Sequence, residues 1–178
     1  MATQGAIARL LQQQPLRFTG SYIHHDSAPP DLGKTLWHVY HNHFQQNLKA
    51  MLQFFIDEHP AGWSSIVGTN FKLLPGFVAP RVDASDAPAP DGLRAPACYC
   101  HGERHDPAHP VTQRNAIGLG CRFVYLFDEE HGTLMIAALV DDALSQVDEP
   151  KLDKSVLWRV LAEVDLTGAE PDWYSLRA

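Results

Sequence analysis

The sequence is short of the features that mark several large protein classes. No stretch approaches the ~18 continuous apolar residues of a membrane span, so a membrane-spanning role is not expected. Basic residues are few and scattered singly. With 14 Lys and Arg against 21 Asp and Glu, the formal net charge is -7 and the pI is near 5.7, which argues against a protein that grips nucleic acid through its phosphates. Cysteine is scarce too: Cys98, Cys100 and Cys121 are the three present in 178 residues. An odd count in a chain of this size does not suit an extracellular disulfide framework. A bridge between Cys98 and Cys100 would close a very small, strained ring, so free thiols or metal ligands are expected.

Other absences narrow the field further. The first residues, "MATQGAIARLLQQQPLRF", lack the apolar run and small-residue cleavage site of a secretory signal, and a cytoplasmic protein is expected. No glycine-rich phosphate loop occurs, and strands do not alternate with helices in the pattern of a doubly wound nucleotide-binding sheet. "GWSSI" lacks the Gly-x-Ser-x-Gly elbow of a serine hydrolase, so Trp63 reads as core and Ser64 and Ser65 as turn residues.

What is present fits one domain with a sizeable core, at 45% hydrophobic residues. Tyr22 and Ile23 predict a short strand that Pro29 and Pro30 end, with Asp31 as N-cap of the next helix. Leu36, Tyr40, Phe44, Leu48, Leu52 and Phe55 recur every three to four residues, which predicts one long amphipathic helix, stopped by His59, Pro60 and Gly62. Residues 75–96, with "APAPDG" near their centre, predict an irregular loop. "CRFVYLF" and "TLMIAALV" flank "DEEHG" as the arms of a hairpin. Val156, Trp158, Val160, Ala162, Val164 and Leu166 follow the two-residue period of a half-buried strand, and "DDALSQVDEPKLDK" reads as a short helix and turn. The expected fold is a single α+β domain: an antiparallel sheet of three to five strands or more, packed against one long amphipathic helix.

Chemistry-bearing residues concentrate in "PACYCHGERHDPAHP", residues 96–110. Cys98, Cys100, His101, His105 and His109 are all types that bind zinc. The spacing departs from a zinc knuckle, because a single residue separates Cys98 from Cys100. His101, His105 and His109 would share one face of a helix, but Gly102 and Pro107 oppose that helix and Pro110 ends it. A polar turn, a zinc site and a thiol-based active site are the three readings of the segment.

A second constellation is His24, His25 and Asp26. His24 and Asp26 would face one side of an extended strand, and a histidine beside a carboxylate can act as a general base. With Cys100 or His101 nearby they would form a Cys/His/Asp arrangement. The alternative is local: Asp26 bonding backbone amides ahead of the Pro-Pro turn while a histidine packs at the strand edge. His38, His41 and His43 read as the solvated flank of the long helix.

Taken together, "GSYIHHDSAPPDLGKTLW", "GWSSI", "CYCHGERH" and "FVYLFD" resemble a family of small proteins from actinobacterial genomes and phages, for which no activity is established. Its members look like a strand with a His-Trp-Asp-Gly-Tyr-Pro motif, a glycine, a long helix and later a Tyr-x-x-Asp hairpin. On that resemblance His24, Asp26, Pro29 and Gly33 occupy motif positions, and Tyr125 with Asp128 match the hairpin. His25, Ser27 and Ala28 depart from it, standing where the family has Trp, Gly and Tyr. The resemblance implies a microbial setting, intracellular or tied to a mobile element, and imports no activity. The expectation is therefore a binding or interaction protein for an unknown protein or small-molecule partner, in a phage or defence context, with zinc stabilising residues 98–109. The alternative is a hydrolase or transferase that uses Cys100 or His101 with His24 and Asp26.

Overall fold

The computed structural model describes residues 3–71, 79–80 as backbone, 95–100, 108–140 and 157–176. The described strands form one sheet in the order β4-β5-β3-β2-β1-β7-β8-β9, with β6 paired on the outer side of β2. The strands are β1 (Gly5–Gln12), β2 (Arg17–Ile23), β3 (Trp63–Ser65), β4 (Ala79–Pro80), β5 (Ala97–Cys98), β6 (Val111–Thr112), β7 (Phe123–Asp128), β8 (Thr133–Leu139) and β9 (Trp158–Asp165).

The expected antiparallel sheet is corrected to a mixed one. β1 pairs antiparallel with β2 but parallel with β7, and β2 pairs parallel with β3. β1 gives no alternating signal because it is covered on both sides. Ile7 belongs to one buried cluster, while Ala6 and Ala8 belong to another across the sheet. Central strands buried on both faces read as continuous apolar runs. The β7–β8 hairpin forms as the sequence predicts, running in register from Phe123↔Ala138 to Asp128↔Thr133. β9 also forms, but its period slips. Val160 pairs with Ala137 and Ala162 with Ile136, so Leu161 is an extra, bulged residue. Val160, expected to face inward, is 49% exposed.

The single long helix is also corrected. A first helical segment comprises α1 (Lys34–His38) between wide, π-helical turns at Pro29–Gly33 and Val39–His43. A second comprises α2 (Leu48–Leu52) and a π-helical turn at Gln53–Asp57. Between them the chain reverses. Gln45 and Gln46 take φ of 49° and 63°, the Gln46 N–H donates to Tyr40 O, and the Asn47 side chain caps the second segment by accepting the Ala50 N–H. In a continuous helix Phe44 and Phe54 would lie about 15 Å apart along the axis. After the reversal their rings are 5.7 Å apart, and Phe55 reaches Phe44 and Trp63 at 6.1 and 5.3 Å. Burying one shared aromatic cluster outweighs the few hydrogen bonds that the break costs. Asp31 is not the N-cap: Ala28 holds that position, with Pro29 and Pro30 in the first turn.

The chain's C-terminal residues close over the first helical segment. Trp173 is buried, and its indole N–H donates to Glu170 Oε1 at 2.8 Å. A Cβ on Gly33 would come within 2.7 Å of the Trp173 ring and 3.2 Å of Tyr125, so glycine is required there by close packing. Tyr125 in turn donates its hydroxyl to Ser27 O at 2.8 Å. Residues 75–96, expected as a loop, lie outside the described residues apart from the paired Ala79–Pro80 and residues 95–96. The helix and turn expected within residues 141–154 also fall outside them.

Candidate functional site

The parallel pair β2 and β3 is joined by the two helical segments, so the chain segments after β2 and after β3 leave the sheet side by side. Loops at the carboxyl ends of neighbouring parallel strands are a favoured place for ligands, because helices and loops diverge there and leave a crevice. Backbone pairing continues one step past the strands: His24 N–H donates to Trp63 O and His25 N–H to Ser64 O, each at 3.0 Å. Asp26 then turns away at φ 59°, a left-handed conformation that Asp adopts more readily than most residues. Its Oδ2 accepts the Ser65 hydroxyl at 2.8 Å, and Ser65 Oγ accepts the Val67 N–H. Asp26 thus bonds a side chain of β3, 39 residues away in the sequence, rather than the local backbone amides of the Pro-Pro turn.

The sheet brings the start of the cysteine segment, at β5, beside His24. β5 lies next to β3, with Cys98 opposite Trp63. Tyr99 follows, its N–H bonded to Gly62 O and its ring 6.5 Å from that of His24. His24 Nδ1 is 3.1 Å from the Tyr22 hydroxyl. Burial, reinforced by Cys121 and Tyr99, pushes the Tyr22 phenol up to about 12, so it stays protonated at neutral pH. Tyr22 bonds His24, and Ser65 bonds Asp26. A serine that gives its proton to a carboxylate does not thereby gain an imidazole base.

The predicted zinc ligands are dispersed in character. Cys98 is fully buried in the core. Cys100 is half-buried, and its Sγ accepts the Ala61 N–H at 3.2 Å. His109 is exposed, its backbone N–H directed to Pro60 O. His101 and His105 lie outside the described residues. Among the described residues, no group of three or more His, Cys, Asp or Glu side chains could hold a metal ion.

The feature that sequence reasoning missed is a groove of about 350 Å³ between the first helical segment and the loop after β3. Lys34, Thr35, His38, Val39, Asn42 and His43 form one wall, and residues 68–71 form the other. The floor is apolar. Phe71 is buried and holds His43 at 5.5 Å, and burial pushes the His43 imidazole below its ordinary 6.5. On the rim, Lys34, Thr35 and Asn42 have no hydrogen-bond or ion-pair partner among the described residues. His38 Nε2 is 3.2 Å from Glu170 Oε1. One signal was readable: Lys34, His38 and Asn42 recur every four residues, a polar stripe opposite the apolar one. The other wall has no such period. His41 is not solvated flank, for its ring lies 4.4 Å from Trp37 and its Nε2 is buried without a hydrogen-bond partner among the described residues.

No protein-family model matches the sequence, and no curated protein or solved structure matches it significantly.

Proposed function

We propose that the protein works by binding a small molecule in the groove between the first helical segment and residues 68–71. The observation that carries this is the composition of the groove: the side chains of Lys34, Thr35 and Asn42 along the rim, without partners among the described residues, over a floor formed by Val39 and Phe71. Sites for small molecules are typically concavities of ~300–1,000 Å³, mostly apolar with a few placed polar groups, and this groove has the volume and the mixture.

The test is a fragment screen by ligand-observed NMR on the full chain, repeated with Asn42→Trp. Asn42 is exposed on the groove wall, so an indole there fills the groove without entering the core. Hits that bind the parent protein and vanish in the folded variant support the reading. Hits that bind both proteins alike overturn it.

A further inference from the structure

We infer that the groove selects an anion with a flat apolar body, the charge held by Lys34 and the body laid on Phe71. This deepens the binding proposal and rests on it. The chain carries 21 acidic residues against 14 basic ones, yet among the described residues no carboxylate lines the groove. Lys34 is exposed on its rim and has no ion-pair partner among the described residues. Glu170 touches the wall, and it is engaged already, 3.2 Å from His38 and accepting the Trp173 indole N–H at 2.8 Å.

The remaining rim groups also favour an acceptor-rich ligand. Thr35 and Asn42 offer a hydroxyl and an amide N–H that find no partner among the described residues. Hydrogen bonds to ionised partners are the stronger ones, roughly twice those between neutral groups, so an ammonium without an internal partner is the group that best discriminates ligands here. The apolar half is equally specified. Phe71 is fixed by Phe55 at 5.8 Å and by His43 at 5.5 Å. A ring laid on it meets a surface whose own rotamer is already set, so little ordering entropy is lost on binding. Phosphate and carboxylate share the chemistry that Lys34 recognises.

Isothermal titration of the full chain with phenyl phosphate, benzoate and benzyl alcohol tests this, with Lys34→Ala and Lys34→Arg in parallel. The expected result is that at least one of the two anions binds about ten-fold tighter than the alcohol. That preference disappears in Lys34→Ala and largely returns in Lys34→Arg. Which anion binds better separates phosphate from carboxylate. If the alcohol binds as tightly as both anions and Lys34→Ala changes nothing, the groove still binds and the anion inference is overturned. If none of the three probes binds the parent protein, the inference falls, and the fragment screen decides the binding proposal separately.

Discussion

The imidazole of His43 sits 5.5 Å from the ring of Phe71, centroid to centroid, and this contact joins the two walls of the groove. Phe71 also meets Phe54 and Phe55 at 6.4 and 5.8 Å, so it belongs at once to the groove floor and to the core. Phe71→Ala should therefore cost about 3 kcal/mol of stability, and Phe71→Leu less than about 1.5 kcal/mol. Urea unfolding measures both. A Phe71→Ala variant as stable as the parent would mean that the ring does not pack as described.

Gly33 makes a second packing prediction. Its backbone is ordinary, at φ -59°, but a Cβ there would come within 2.7 Å of Trp173. Gly33→Ala should destabilise by about 1–3 kcal/mol through overpacking, although alanine is usually the better helix former. Trp173 fluorescence should change in the folded variant as the indole is displaced. A stabilised variant with parent-like fluorescence would contradict the contact.

The cysteines should differ sharply in reactivity. Cys98 and Cys121 are fully buried, and burial pushes the Cys121 thiol up to about 12, whereas Cys100 is half-buried. Only a thiolate that solvent can reach reacts quickly. Brief treatment with iodoacetamide, read by peptide mass spectrometry, should label Cys100 first. Equal labelling of all three would show that the core around β5 and Cys121 opens readily.

Two histidines should titrate on opposite sides of 6.5. Desolvation lowers His43, while the hydrogen bond between the His131 Nδ1 and Asp128, with the charge of that carboxylate, raises His131. The linkage signs follow from proton binding in the two states. His131 binds a proton more tightly when folded, so its contribution is present below 6.5 and is lost as pH rises through its folded value. His43 binds one less tightly when folded, so its contribution is lost as pH falls from 6.5 through its folded value. NMR titration of the imidazole carbons gives both midpoints, and Asp128→Asn should lower that of His131 alone. A His131 midpoint that ignores Asp128→Asn would rule out the pair in solution.

Much of the fold was legible where one physical period dominates. The β7–β8 hairpin announced itself through two apolar runs around Gly132, and β9 through alternation up to its bulge. β1 was hidden because Ala6, Ile7 and Ala8 are all buried, which erases the two-residue period. The long apolar stripe from Leu36 to Phe55 was real, yet it is split between two segments. Local signals of the break, Asn47 as a cap and the Gln45-Gln46 pair, carry little weight beside six well-spaced apolar residues. Away from the groove, the ring of His24 lies 6.5 Å from that of Tyr99 beside β5, a proximity set by the pairing of β2, β3 and β5 that no spacing in the sequence announces. The groove was not legible, because its second wall comes from a loop whose position depends on the whole crossover between β2 and β3.

The most direct test of the account is backbone-amide NMR mapping of the full chain on titration with phenyl phosphate. Shifts should concentrate in residues 34–43 and 68–71, saturate together and weaken in Lys34→Ala. Saturating shifts centred elsewhere, for example on residues 22–26 and 97–100, would contradict it and move the binding site to the His24 and Tyr99 region.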